Sequence, residues 1–354
     1  MSAEPKLSTY LHSKAIKNEL PVSGTFELTS RCNFRCEMCY VHDDCHKAEG
    51  LTTEQWLQLA EEVKKEGTLF LLLTGGEPLL REDFAHLYTE LKKMGFMISI
   101  NTNGSLLHNY FDLLKKYPPS RVNISLYGGD DETYKKLCKV SAFSKVTENV
   151  AELVKMGISV KINTVFTDKN NHQYKGIIDI AEKLGVPLST TAYAYPQVRL
   201  DKDFGENEGR MNAVEAAECT VNCEKYRFRE KGFVERANAI LNGRDTEKCD
   251  RVSCRAGRAA YWITSEGKMQ ACGMLPKIQL DVLNLGFKEA WKQLVTEVKE
   301  IRLPKKCITC KYSKICNACA AMCYAETGHF DQVPEYICEI SKNIYELFER
   351  ELKE

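Results

Sequence analysis

An α/β fold with a parallel sheet is the architecture the sequence predicts, and three observations predict it. Apolar runs and amphipathic segments alternate through six strand–helix units in about 170 residues, the pattern of parallel α/β folds. The run from Leu69 to Leu73 is continuously apolar, as suits a strand buried on both faces. Gly157, Gly185 and the pair Pro118 and Pro119 follow amphipathic segments, where helices stop. Six units suit either an open doubly wound sheet or an incomplete barrel, and periodicity does not choose between them.

Residues 1–23 read as a polar lead-in with one or two helical turns, too short for a domain. Strand one is expected at 24–29. Thr52 stands three residues ahead of Gln55 as a capping box, and Trp56, Leu59, Ala60 and Val63 follow at helical spacing. Then come a strand at 69–73, a helix at 82–94, a strand at 97–101 and a helix at 107–116. A strand at 122–126, helices at 131–138 and 145–156, a strand at 159–166, a helix at 171–184 and a strand at 188–193 complete the series. Sites in parallel α/β proteins gather at the C-terminal strand ends, where Cys32, Gly75, Asn101, Tyr127 and Thr167 fall. The charged, glycine-rich residues 201–209 read as a linker and 210–242 as a helical bridge. From Cys249 the chain is cysteine-dense, read as short strands and loops, and it closes in a helix at 340–353 carrying Ile344, Leu347 and Leu352. The expected division is a lead-in (1–23), a core (24–209), a bridge (210–245) and a cysteine-rich domain (246–354).

With 354 residues, the length suits about two domains. Lys plus Arg and Asp plus Glu are both 49, so no basic excess argues for nucleic acid or an anionic membrane. The first twenty residues lack an apolar signal core, and no run reaches a membrane span. A cytoplasmic location is expected, where sixteen cysteines point to metal binding or redox chemistry rather than disulfides.

The stretch Cys32–Asn33–Phe34–Arg35–Cys36–Glu37–Met38–Cys39 aims three thiols at one centre from a tight loop. A closed zinc site needs four protein ligands. A [4Fe–4S] cube on three thiolates keeps one iron open for a substrate or co-substrate. After strand two comes Thr74–Gly75–Gly76–Glu77–Pro78. Its glycines permit close backbone approach and positive φ, and Glu77 adds a negative charge; an ordinary strand–helix turn is the plain alternative. Asn103, ending strand three before Gly104, reads equally as an Asn-Gly turn or a ligand contact. Lys161 reads equally as a ligand contact or a solvated lysine.

The Cys32–Cys39 spacing with Gly75–Pro78 resembles the radical SAM family. That resemblance implies a partial (β/α)6 barrel and a cube on Cys32, Cys36 and Cys39 that chelates S-adenosylmethionine (SAM). Gly75, Gly76, Glu77 and Pro78 would hold the SAM ammonium, a carboxylate being its natural complement. Ser125, and more weakly Lys161, would meet the SAM carboxylate or ribose. Met38 stands where relatives often have an aromatic residue.

The later cysteines resemble the SPASM extension, with two auxiliary [4Fe–4S] clusters and so three in all. By that resemblance Cys307, Cys310, Cys316 and Cys338 hold one, and Cys249, Cys254 and Cys272 three corners of the other. The usual last position would be Ala320; Cys319 comes one residue early and Cys323 three late, and Cys319 is taken as the ligand. A zinc ribbon from Cys307, Cys310, Cys316 and Cys319 is the alternative, although its five-residue gap is short for zinc knuckles. Cys138 reads as a small buried residue, Cys45 is unassigned, and Cys219 with Cys223 would share a helical face, as packing or as redox groups.

The resemblance further implies reductive SAM cleavage to a 5′-deoxyadenosyl radical that takes hydrogen from substrate. Asn123–Gly128 and Glu132–Leu137 look like enzymes that modify ribosomally made peptides, so the expected partners are a precursor peptide, a separate peptide-recognition protein and a flavodoxin or ferredoxin-type electron donor. Thioether or carbon–carbon cross-linking is the favoured reading. The rivals are a peptide epimerase using Cys223 or Cys323 as hydrogen donor, a small-molecule radical dehydrogenase or rearrangement enzyme, and a non-catalytic Fe–S or zinc scaffold. Gly273, where sulfatase-maturing relatives carry an Asp, weighs against that activity.

Overall fold

A computed structural model describes residues 7–40, 50–197, 204–205, 209–242 and 249–353. Cys45 and most of the expected linker at 201–209 lie outside the described residues. The lead-in folds as α1 (Leu7–Asn18), longer than the turn or two expected. Next come β1 (Ser23–Glu27), α2 (Thr53–Lys65), β2 (Phe70–Thr74), α3 (Phe84–Lys93), β3 (Met97–Thr102), α4 (Phe111–Lys116) and β4 (Arg121–Ser125). The capping box at Thr52 and Gln55 forms, and α2 buries Trp56, Leu59, Ala60 and Val63. The series continues with α5 (Asp131–Cys138), α6 (Phe143–Lys155), β5 (Val160–Val165), α7 (Tyr174–Lys183) and β6 (Leu188–Thr191).

The strand order decides the architecture. The sheet runs β6-β5-β4-β3-β2-β1, strictly in sequence, and every one of these pairs is parallel. A doubly wound sheet reverses its order at a switch point. Here there is none, so right-handed crossovers put every helix on one face and the sheet curls into a partial barrel. Alternation along the strands shows both faces. Ile98, Ile100, Val122, Ile124 and Ile162 are fully buried against the helices. Ser99, Asn101, Asn123, Ser125 and Asn163 are only partly buried on the opposite, concave face.

The bridge is α8 (Ala213–Leu241), broken at Arg229, whose φ of 58° and ψ of 172° lie off the helical region. Beyond it, β7 (Ala260–Ile263) pairs parallel with β1, and β8 (Lys268–Gln270) and β9 (Leu280–Asp281) add antiparallel strands. The cysteine-rich part thus continues the barrel's own sheet, as residue reading had not anticipated. It also holds a helix that reading missed. After the short α9 (Val282–Leu285), α10 (Phe287–Glu300) buries Phe287, Ala290, Trp291, Leu294, Val295 and Val298. Finally come α11 (Ala320–Thr327) and α12 (Glu335–Glu351), which lies along α8. Among the described residues no helix is long and apolar enough to cross a membrane.

Candidate active site

A cavity of about 490 Å³ opens at the C-terminal ends of the barrel strands. Cys32, Cys36 and Cys39 line one side, and their loop is pinned from two directions. The amides of Arg35 and Glu37 donate to the carbonyls of Cys138 and Leu137 at the end of α5, each at 3.0 Å. Asn103 Nδ2 donates to Asn33 Oδ1 at 2.8 Å, tying the loop to the end of β3. The Glu37 carboxylate pairs with both Lys139 and Lys169. Burial would raise that carboxyl, but the two ammoniums prevail and hold it below the usual range.

Burial pushes the Cys32 thiol up to about 12; the Phe34 amide opposes this, while Glu77, Cys36 and Cys39 add to it. The Cys36 thiol is raised too, first by its contact with the thiol of Cys138 and then by burial. Burial thus favours the neutral thiol, and a metal centre would have to supply the positive charge that draws off its proton. Among the described residues, no three Cys, His, Asp or Glu side chains could hold one metal ion. Thiolates of a cube bind separate irons and need no such common point. The trio therefore fits a [4Fe–4S] group on chemical grounds.

Gly75 and Gly76 line the cavity and are glycine because of backbone approach. A Cβ on Gly75 would stand 2.5 Å from the Thr29 carbonyl oxygen, and one on Gly76 2.4 Å from that of Arg31. Neither has positive φ. Glu77 departs from expectation. Its carboxylate is fully buried and does not line the cavity. It accepts from Asn103 N at 2.7 Å, Thr102 Oγ1 at 2.8 Å and Leu79 N at 3.1 Å. Burial raises it to about 7 against those donors. It is a brace between strand ends, not a charge facing ligand. Pro78 is also buried, at the start of a single turn Pro78–Leu80.

Asn103 and Ser125 line the cavity. Lys161 does not: it pairs with Asn123 at the start of β5, while Asn163, two residues on and on the same face, reaches the wall. Asn101, Asn123 and Asn163 form an amide floor in which Asn123 Nδ2 donates to Asn101 Oδ1 at 2.8 Å. Reading residue by residue missed Asn163, although its parity with Ser125 on the neighbouring strand was the available signal. Thr167 is fully buried and off the wall.

Two catalytic candidates fall away. Cys223 touches Cys219 one turn earlier on α8 and lines a separate pocket with Ser189 and Arg227. Cys323 is buried, with Cys307, Cys316 and Cys338 among its neighbours. Neither lines the cavity, so the structure does not bring either thiol to the place where a substrate would bind.

The far wall combines the core segment after β6, Tyr193, Ala194 and Tyr195, with Met274 after Cys272 and Met322 on α11 from the C-terminal part. Tyr195 interacts with the Cys319 thiol and feels Cys272 and Cys254. Cys319 accordingly shares its surroundings with Cys254 and Cys272. Burial, then Cys316 and Cys307, then Glu335 and Cys310 raise Cys338 to about 12, which gathers the second set of four. Cys249 is exposed, its thiol 3.6 Å from the Arg251 carbonyl. Gly273 has a steric reason: a Cβ there would stand 2.9 Å from the Trp262 ring, so the position takes no acid.

Comparison with known proteins adds the following. Residues 26–181 match the family described as the Radical SAM superfamily. The chain is 30% identical over 264 residues to a probable GTP 3′,8-cyclase of Sulfurisphaera tokodaii, covering 73% of this chain and 83% of that protein. It is 25% identical over 331 residues to the AdoMet-dependent heme synthase of Methanosarcina barkeri, covering 88% and 94%. The crystal structure of Streptococcus suis SuiB bound to precursor peptide SuiA superposes with a TM-score of 0.68 at 16% identity, over 96% of this chain and 83% of that one.

Proposed function

This chain belongs to the radical SAM superfamily, and on that premise we propose that it is an oxidoreductase that cross-links a peptide through a thioether or carbon–carbon bond. Cys32, Cys36 and Cys39 would hold a [4Fe–4S] group with SAM beside it in the cavity. When bound, that pair supplies a 5′-deoxyadenosyl radical able to take hydrogen from an unactivated carbon. The chain's own part is to bind and orient. Gly75 and Gly76 line the cavity, and their backbone would offer carbonyl acceptors to an ammonium donor. Ser125, Asn103 and the amide floor suit carboxylate and hydroxyl groups. Glu77 holds the ends of β2 and β3 together behind them.

One observation carries the reading: a single cavity takes one wall from the cysteine trio and the other from residues beside Cys272 and Cys319. A substrate there would lie between the radical source and the C-terminal thiols. On this reading Cys254, Cys272, Cys319 and Cys249 hold one auxiliary cluster of SPASM type, and Cys307, Cys310, Cys316 and Cys338 another. Among the described lining residues Arg35 is the one charged side chain, beside Met38, Met274, Met322, Tyr193 and Tyr195. Such walls suit peptide side chains better than a triphosphate, which calls for several cations. A small-molecule substrate is the second reading, favoured by the heme synthase relative, which aligns over 88% of the chain.

The test is anaerobic reconstitution and product mass. The wild type should bind roughly 12 irons, three cubes. Replacing Cys32, Cys36 and Cys39 together with Ala should leave about eight and abolish 5′-deoxyadenosine release. Continued release from that variant ends the reading. A product peptide lighter by two hydrogens supports cross-linking; unchanged mass with deuterium gained in D2O would replace it with epimerisation.

A further inference from the structure

The segment between β6 and the bridge is strapped to α11 at two points. Tyr193 Oη donates to Glu326 Oε1 at 2.6 Å. Arg210 pairs with the same Glu326, donates to the Ala194 carbonyl at 3.1 Å, and lies between the rings of Tyr193 and Tyr336, 5.2 and 4.0 Å from their centroids. Two residues on, Tyr195 makes the second attachment. Its ring stands edge-on to Tyr193 at 4.8 Å and lines the cavity. Its hydroxyl meets the Cys319 thiol. Cys319 is the residue at the start of α11, and the amides of Ala321 and Met322 face its sulfur.

We propose that Tyr195 is a positioning residue that tunes the auxiliary cluster from the cavity wall by donating its hydroxyl hydrogen to Cys319 Sγ. The proposal rests on the reading that Cys254, Cys272 and Cys319 hold such a cluster. A sulfur that accepts a hydrogen bond carries less electron density, so the cluster it ligates is easier to reduce; hydrogen bonds to cluster sulfurs are among the determinants of potential. Because the strap through Glu326 and Arg210 fixes the tyrosine segment to α11, the donor holds its place whatever occupies the cavity. The same ring that meets a substrate thus bears on the ligating sulfur.

The test is a redox titration of the reconstituted full chain, followed by electron paramagnetic resonance, with iron counted in parallel. Tyr195→Phe keeps the ring and removes the donor. Its iron content should equal the wild type's, while one auxiliary midpoint moves to lower potential and its signal changes shape. Tyr193→Phe, which loses the bond to Glu326 but keeps the Tyr195 hydroxyl, should leave that midpoint in place. Should Tyr195→Phe lose stability, 3,5-difluorotyrosine at position 195 keeps the ring and makes the hydroxyl a stronger donor: a raised midpoint supports the proposal and an unmoved one overturns it. An unmoved midpoint in a fully loaded Tyr195→Phe overturns the role of Tyr195 while leaving the auxiliary clusters standing. A wild type that binds only about four irons per chain removes the auxiliary clusters, and the proposal with them.

Discussion

Thr102 Oγ1 donates to Glu77 Oε1 at 2.8 Å, so the last residue of β3 is bonded to the turn after β2, beneath the cavity. Burial of that carboxyl, which the bond only partly offsets, makes stability depend on pH. Burial raises the folded carboxyl from 4.5 to about 7, so between those values the folded state binds more protons than the unfolded one. The contribution is fully present below pH 4.5 and is lost as pH rises through 7. At about 1.4 kcal/mol per pKa unit it amounts to roughly 3 kcal/mol. Denaturant unfolding between pH 5 and 8 should show that slope, and Glu77→Gln should flatten it. An unchanged slope would show that Glu77 is not the titrating group.

Gly76→Ala tests the backbone approach. The new Cβ would meet the carbonyl oxygens of Arg31 and Ser30 at 2.4 and 2.5 Å, both main-chain atoms next to Cys32. No side chain can swing aside, so the cysteine loop must move. The expected result is loss of about four irons with the others retained, and at least a tenfold fall in 5′-deoxyadenosine release. Normal iron and release would refute the steric argument.

Cys319 and Cys323 should separate cleanly. Cys319 sits beside Tyr195 with Cys254 near it. Cys323 lies among Cys307, Cys319, Cys316 and Cys338, a neighbourhood already supplied with the four thiols of the second set. Cys319→Ala should reduce auxiliary iron, whereas Cys323→Ala should keep it and cost about 1 kcal/mol for a small cavity. The reverse pattern of iron counts would exchange their roles.

Breaking the Arg210–Glu326 pair should destabilise strongly. The two side chains are 9% and 5% exposed, and Arg210 Nε has no partner among the described residues. Glu326→Ala strands a buried guanidinium at a cost of about 3–5 kcal/mol; equilibrium unfolding measures it. A loss below 1 kcal/mol would mean that water reaches the guanidinium.

Much of this was legible beforehand, for reasons that can be named. The helical spacing of apolar residues in 131–138 marks the helix that forms as α5, and the structure adds the Asp130 cap. The resemblance implied a partial barrel, and the sequential strand order agrees. The helix at 287–300 carried its apolar positions at helical spacing but lay in a stretch read as loops for its cysteines. Glu77 misled because a carboxylate beside two glycines looks the same in sequence whether it faces ligand or turns inward. Lys161 and Asn163 share a face, and only the depth of the cavity tells them apart. The contact of Cys138 with Cys36 links residues a hundred apart in the chain, and nothing local announces it.

The pairing of β7 with β1 has a consequence for how such a protein can be divided. Excising everything after residue 249 would uncover the amides and carbonyls of the barrel's first strand, the one leading straight into Cys32, and present them to any passing chain. The cysteine-rich domain therefore serves as a seam as well as a cargo. A shortened core should be recovered from cells as aggregate, and grafting a foreign C-terminal domain would succeed only if it brought its own strand to close that border.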